Sequence, residues 1–107
     1  MSYSVDLGVD LGGPEPISLG MYWNYTSNCS PMWNAAGIHI HEWDGKTAEE
    51  VGPQLAWGLA LMVEDPEAFI KFNPDNGWGD FYSLRDELGV LLRHFARAPK
   101  AIVRVSR

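Results

Sequence analysis

A chain of 107 residues, 46% hydrophobic and 21% charged, is long enough to bury a core as one domain spanning residues 1–107, and its composition excludes disordered and collagen-like classes. A formal net charge of −6 disfavours non-specific binding to duplex nucleic acid, whose affinity comes from neutralising phosphates. The single cysteine, Cys29, precludes an intramolecular disulfide and a four-thiolate zinc site in a monomer.

No apolar run approaches the roughly 18 residues that span a bilayer, and Met1-Ser2-Tyr3-Ser4-Val5-Asp6 lacks the basic start and apolar stretch of a signal peptide, so a cytoplasmic protein with no membrane partner is expected. The charge is unevenly spread. Residues 1–45 hold five carboxylates and no Lys or Arg, residues 46–84 are again net −5, and residues 85–107 are net +4 through Arg85, Arg93, Arg97, Lys100, Arg104 and Arg107. That basic end suits an acidic partner.

In chain order, Tyr3, Val5, Leu7 and Val9 alternate with polar residues or glycine, the period of a half-buried strand. Gly12-Gly13-Pro14-Glu15-Pro16 breaks it, and Ile17, Leu19, Met21, Trp23 and Tyr25 then repeat the alternation, which predicts a hairpin. Ser30 before Pro31 predicts the N-cap of a short helix through Ala36, ended by Gly37. Ile38-His39-Ile40-His41-Glu42-Trp43 reads as a loop leading to the turn at Asp44-Gly45.

Thr47-Ala48-Glu49-Glu50 has capping-box spacing, and Val51, Leu55, Leu59 and Met62 share one helical face; Pro53 is expected to kink or delay that helix. The same helix is apolar nearly all round, with Trp57 and Leu61 off the main stripe. Deep burial of these residues is the expectation, ahead of a second surface used for dimerisation. Asp65-Pro66 predicts another short helix through about Phe72, and Asn73 to Gly79 reads as a loop. From Asp80, the residues Phe81, Leu84, Leu88, Leu91 and Phe95 form a helical stripe that stops before Pro99, and Ala101-Ile102-Val103-Arg104-Val105 predicts a last strand joining the hairpin. The fold class is therefore α+β: a three-stranded antiparallel sheet, built from the N-terminal hairpin and the C-terminal strand, with three to four helices packed on one face.

Two polar-aromatic loops, residues 24–30 and 73–80, each precede a helix start. Their amides, hydroxyls and aromatic faces match the edges and flat faces of a sugar or nucleotide, so Asn24, Tyr25, Thr26, Asn28, Asn76, Trp78 and Asp80 are the candidate ligand-binding residues. The alternative is that these residues serve caps and turns, with Tyr25 and Trp78 plugging the ends of the core. His39, His41, Glu42 and Asp44 are metal-ligand types in one short stretch, but no ligand spacing elsewhere completes a site, and no metal or other cofactor is expected. Cys29 near a helix start could be a nucleophile only with a base, and no feature places His94 beside it. Gly8, Gly12 and Gly13 follow a strand without the Lys-Ser/Thr ending of a phosphate loop.

The strings Asn24-Tyr25-Thr26-Ser27-Asn28, Pro31-Met32-Trp33, Asp44-Gly45, Asp65-Pro66, Asn73-Pro74 and Asn76-Gly77-Trp78-Gly79-Asp80 together resemble a family of small proteins recurrent in actinobacteria and their phages. The resemblance covers about residues 20–107, excludes Ile38-His39-Ile40-His41, and implies a habitat while supplying no catalytic residues. The functional expectation is a small binding protein, a phage or prophage accessory acting in the host cytoplasm, whose cleft between the two loops holds a small molecule or a host partner. One alternative is a small hydrolase or transferase using Asp80 or Asp75 as base beside Tyr25, Asn28 or Cys29. Another is an interaction protein, a homodimer, self-associating through the helix around Trp57.

Overall fold

Inward-facing Tyr3, Val5 and Leu7 make β1 (Ser2–Val9) the middle strand of the sheet in the computed structural model, which describes residues 1–107. β2 (Ile17–Thr26) and β3 (Ile102–Ser106) pair antiparallel on either side of it, giving the order β2-β1-β3. Val5 lies opposite both Trp23 and Val105, so one apolar row crosses all three strands. Between Asp6 and Gly8 the β1–β2 register shifts, and Gly20 takes φ +80° there, a conformation open to glycine without Cβ strain. The outer edge of β3 is covered by the chain that leads into the next helix. Gly45 N donates to Val103 O (2.8 Å), Val103 N to Lys46 O (2.7 Å) and Val105 N to the Asp44 carboxylate (2.8 Å).

The helices are α1 (Ser30–Ala35), α2 (Ala48–Glu64), α3 (Glu67–Ile70) and α4 (Phe81–Arg97). A 3-10 turn at Ser27–Cys29 leads into α1, so the helix begins at Ser30 itself, with Cys29 at the cap position and no side-chain cap; the cap is Thr26, which accepts from Asn28 N. Residues 38–43 form a loop with a 3-10 turn at Ile40–Glu42, yet Ile38, Ile40 and Trp43 are buried. Gln54 on α2 holds this segment, its side-chain oxygen accepting from His39 N (2.9 Å) and from Trp43 Nε1 (2.7 Å). At Gly58 a Cβ would meet Ile38 and come within 2.8 Å of Ala36 O, so glycine there permits the close approach of α2 to this turn.

Two expectations for α2 need correction. Pro53 does not delay the helix, which runs from the Thr47–Glu50 capping box to Glu64; Pro53 faces solvent while Val51, Leu55 and Met62 anchor the opposite side, offsetting the missing donor. Trp57 is not buried but 71% exposed, and Leu61 is 39% exposed, because α4 and the 38–43 segment cover only one side of α2. α4 supplies the matching apolar stripe, Phe81, Leu84, Leu88, Leu91 and Phe95, all buried, and Trp23 Nε1 donates to Glu87 O (2.9 Å), tying helix to sheet. No helix is long and apolar enough to cross a membrane.

Candidate functional site

The loop before α4 is shaped by its own side chains. Asn73 Oδ1 accepts from Phe81 N (2.8 Å), Asn76 Oδ1 from Trp78 N (3.0 Å) and Asp80 Oδ1 from Ser83 N (2.7 Å), while Gly77 and Gly79 take φ +75° and +91°. The segment opposite, expected as a loop over residues 24–30, is mostly regular: Asn24, Tyr25 and Thr26 are the end of β2, held by pairing with β1, and Ser27–Cys29 form a 3-10 turn into α1. The Tyr25 hydroxyl donates to Asp80 O and accepts from Asp80 N, both at 3.2 Å, closing a two-bond clamp between the loops. Gly79 makes the approach possible, since a Cβ there would lie 2.8 Å from both Cys29 Sγ and Thr26 Cγ2.

An open cleft of about 740 Å³ lies between the docked loops, lined by Met1, Ser2, Asn24, Tyr25, Thr26, Asn28, Asn76, Trp78, Gly79 and Ser83. Six of the seven residues expected from sequence are therefore brought together. Asp80 is the exception: its carboxylate turns to cap α4 and does not line the cleft. Asn24 lines one wall, but its Nδ2 is already committed to Ser2 Oγ, Tyr3 O and Ser4 Oγ. Trp78 does not plug the core, being 68% exposed at the cleft, whereas Tyr25 is 8% exposed and belongs to the core. Ser2 and Ser83 were not legible as lining residues. Ser2 arrives through its pairing opposite Thr26, and Ser83 through the first turn of α4.

Not one charged side chain lines the cleft. Burial pushes the Tyr25 hydroxyl above its ordinary value despite the opposing hydrogen bonds of Ser83 and the Asp80 backbone. Burial also pushes the Cys29 thiol up, and the negative Asp80 adds to this. Cys29 is fully buried and its thiolate is disfavoured, which removes the condition a cysteine nucleophile requires.

Elsewhere, the His39 and His41 rings are 5.8 Å apart and His39 Nδ1 is 3.0 Å from Asn34 Oδ1. No group of three or more His, Cys, Asp or Glu side chains is placed to hold a metal ion. A second concavity of about 550 Å³ lies over the outer face of the sheet, where Asp6, Asp44 and Arg104 stand among serines and Tyr22. It contains none of the candidate ligand-binding residues and has no exposed indole. In comparisons with known protein families, with curated proteins and with solved structures, the chain finds no match.

Proposed function

We propose that the chain is a binding protein whose ligand sits in the cleft between the 24–30 and 73–80 loops. The observation that carries the reading is Trp78: a large aromatic ring held in solvent by a loop that five hydrogen bonds and two left-handed glycines pre-order. Leaving an indole in water forgoes roughly 1.5–3 kcal/mol of burial, and a pre-ordered exposed aromatic lowers the entropy cost of binding. The cleft volume falls within the range of small-molecule sites.

The lining favours a neutral ligand that combines a flat apolar face with polar edges, such as a sugar ring stacked on Trp78 and hydrogen-bonded by Asn28 and Asn76. A nucleotide phosphate would find no Lys or Arg in the cleft, and the Met1 ammonium alone offers no bidentate pairing. The habitat we assign is that of the resembling family, an accessory phage or prophage protein that captures a small molecule of the host.

The test is thermal unfolding of the purified chain against panels of neutral oligosaccharides, nucleotides and signalling dinucleotides. A ligand present at 100 times its dissociation constant adds roughly 2.7 kcal/mol, which raises the midpoint of a domain this size by roughly 10 °C. The expected result is a shift with a neutral sugar that disappears in Trp78→Ala and in Asn28→Ala, with both variants folded. A shift that survives both substitutions would place the ligand elsewhere and overturn the assignment.

A further inference from the structure

Along β1 the residues that turn away from the core are Ser2, Ser4 and Asp6, alternating with the buried Tyr3, Val5 and Leu7. Strand pairing sets Thr26, Asn24 and Tyr22 of β2 beside them on one flank, and Ser106 and Arg104 of β3 beside Ser4 and Asp6 on the other. The Trp78 cleft lies at the Ser2 end of this outer face, and the concavity of about 550 Å³ lies at its Asp6 end. The two hollows adjoin. Asn24, in the wall of the cleft, donates to Ser2 Oγ and to Ser4 Oγ, both at 2.9 Å; Ser4, in the wall of the second concavity, lies 3.1 Å from the Tyr22 hydroxyl. One hydrogen-bonded row of hydroxyls and amide therefore runs from the cleft to Tyr22.

The row has an exposed aromatic residue at each end, Trp78 at 68% and Tyr22 at 71%, with the short side chains of Ser2, Ser4, Asn24 and Thr26 between. Its charges turn away both kinds of ion. Asp6 and Asp44 oppose an anion. Arg104 opposes a cation, since the ion pairs of the chain are Arg85–Asp86 and Lys100–Glu49 and leave Arg104 opposite Asp6 without pairing to it. A neutral ligand rich in hydroxyls meets both signs: its oxygens accept from the guanidinium, and its O–H groups donate to the carboxylates. Asp6 already accepts from Ser18 Oγ (3.1 Å) and Asp44 from Val105 N (2.8 Å), and each carboxylate keeps lone pairs for a further donor. An extended peptide does not suit this face, because a peptide strand adds at a sheet edge through backbone groups, whereas the face offers side chains alone.

We infer that the ligand of the cleft is a neutral oligosaccharide, with one ring on Trp78 and the chain continuing over the outer face of the sheet to a second ring on Tyr22, flanked by Asp6 and Arg104. The inference rests on the reading of the Trp78 cleft as a sugar site and extends it to the length of the ligand. From Thr26 to Tyr22 the strand advances roughly 13 Å, further than a single sugar ring reaches. A monosaccharide fills the cleft and leaves the second concavity to water.

The test is isothermal titration calorimetry of the full chain with neutral gluco-, manno- and N-acetylchito-oligosaccharides, each from the monosaccharide to the hexasaccharide. Within the series that binds, affinity should rise with length by at least about tenfold, the effect of one further stacked ring. Tyr22→Ala and Arg104→Ala, both at exposed positions, should each remove most of that gain with the circular dichroism spectrum retained, so that the ratio of long-chain to short-chain affinity falls towards unity. Tyr22→Phe keeps the ring and should keep the gain. Trp78→Ala should abolish binding at every length. A hexasaccharide bound no better than the monosaccharide would overturn the inference and leave the cleft reading standing. A gain that survives both Tyr22→Ala and Arg104→Ala would overturn it as well, because the chain would then run elsewhere. A wild-type chain that binds no saccharide of any length would remove the cleft reading and this inference together.

Discussion

Glycine 79 shows how one absent side chain joins two loops. Its φ of +91° already disfavours an L side chain, and the space a Cβ would take is held by Cys29 and Thr26. Left-handed strain costs roughly 1–2 kcal/mol and overpacking roughly 1–3 kcal/mol, so Gly79→Ala should lose about 2–5 kcal/mol in urea unfolding. It should also break the Tyr25–Asp80 clamp, which would be read as faster amide exchange at Asp80; a loss below about 0.5 kcal/mol would show that the loops are not locked there. In the sequence, Asn-Gly-Trp-Gly-Asp was legible as a turn from its residue types. That its second glycine faces Cys29 was not, because the contact joins residues 50 positions apart and depends on how β2 ends. Asp80 was legible twice over, as a helix cap and as a ligand contact; its carboxylate caps α4 through Ser83 N, and it does not line the cleft.

Among the elements, α2 owes its start to the reciprocal bonds between Thr47 and Glu50: Glu50 N donates to Thr47 Oγ1 (3.3 Å), and Thr47 N donates to Glu50 Oε1 (3.1 Å). The Thr47 backbone bond, then its hydroxyl, holds the Glu50 carboxyl below the ordinary glutamate value. A group whose folded value is depressed adds stability that is present above its unfolded value and is lost as pH falls through the folded one. The unfolding midpoint should therefore drop as pH falls from the ordinary glutamate range downward, and Glu50→Gln should flatten that part of the profile because an amide accepts the same bonds without titrating. Thr47→Ala should cost about 1 kcal/mol at neutral pH, and a midpoint unchanged by it would show that packing alone sets the helix start. This start was readable from four residues because a cap is local. The unbroken passage through Pro53 was not, because burial on the far side of the helix offsets the missing donor.

Taken whole, the molecule packs its apolar residues between one face of the sheet and a helical layer, and Cys29 reports on that layer. Its thiol is fully buried and pushed above the ordinary value, so the fold favours the neutral form. The unfolded chain ionises at lower pH, and stability should decline as pH rises through the ordinary thiol range. Alkylation by iodoacetamide should be slow in the native protein and should follow the population of unfolded chain across a urea series. Labelling of the native state at the rate of a free peptide thiol would contradict this and return Cys29 to the cleft as a reactive group.

What the amino-acid order determined by itself is whatever depends on near neighbours and period. Alternation specified the two N-terminal strands and β-branched residues the last, the spacing Phe81-Leu84-Leu88-Leu91-Phe95 specified α4, and the caps Thr47 and Asp80 specified where the two long helices start, while Ser30 and Asp65 did not cap the short ones. It also marked the loop before α4, because turns demand the same amides and glycines that make a polar wall, whereas Asn24 to Thr26 proved to be the end of β2. Only the tertiary structure decided which apolar residues meet water. Trp57 and Trp33 are the same residue type on helices of the same chain, yet one is 71% exposed and the other fully buried, since burial is set by what lies opposite and not by the residue itself. The same reason made the cleft invisible in outline: its walls come from β1, β2 and the turn before α4, brought together by strand register and by the Tyr25–Asp80 clamp.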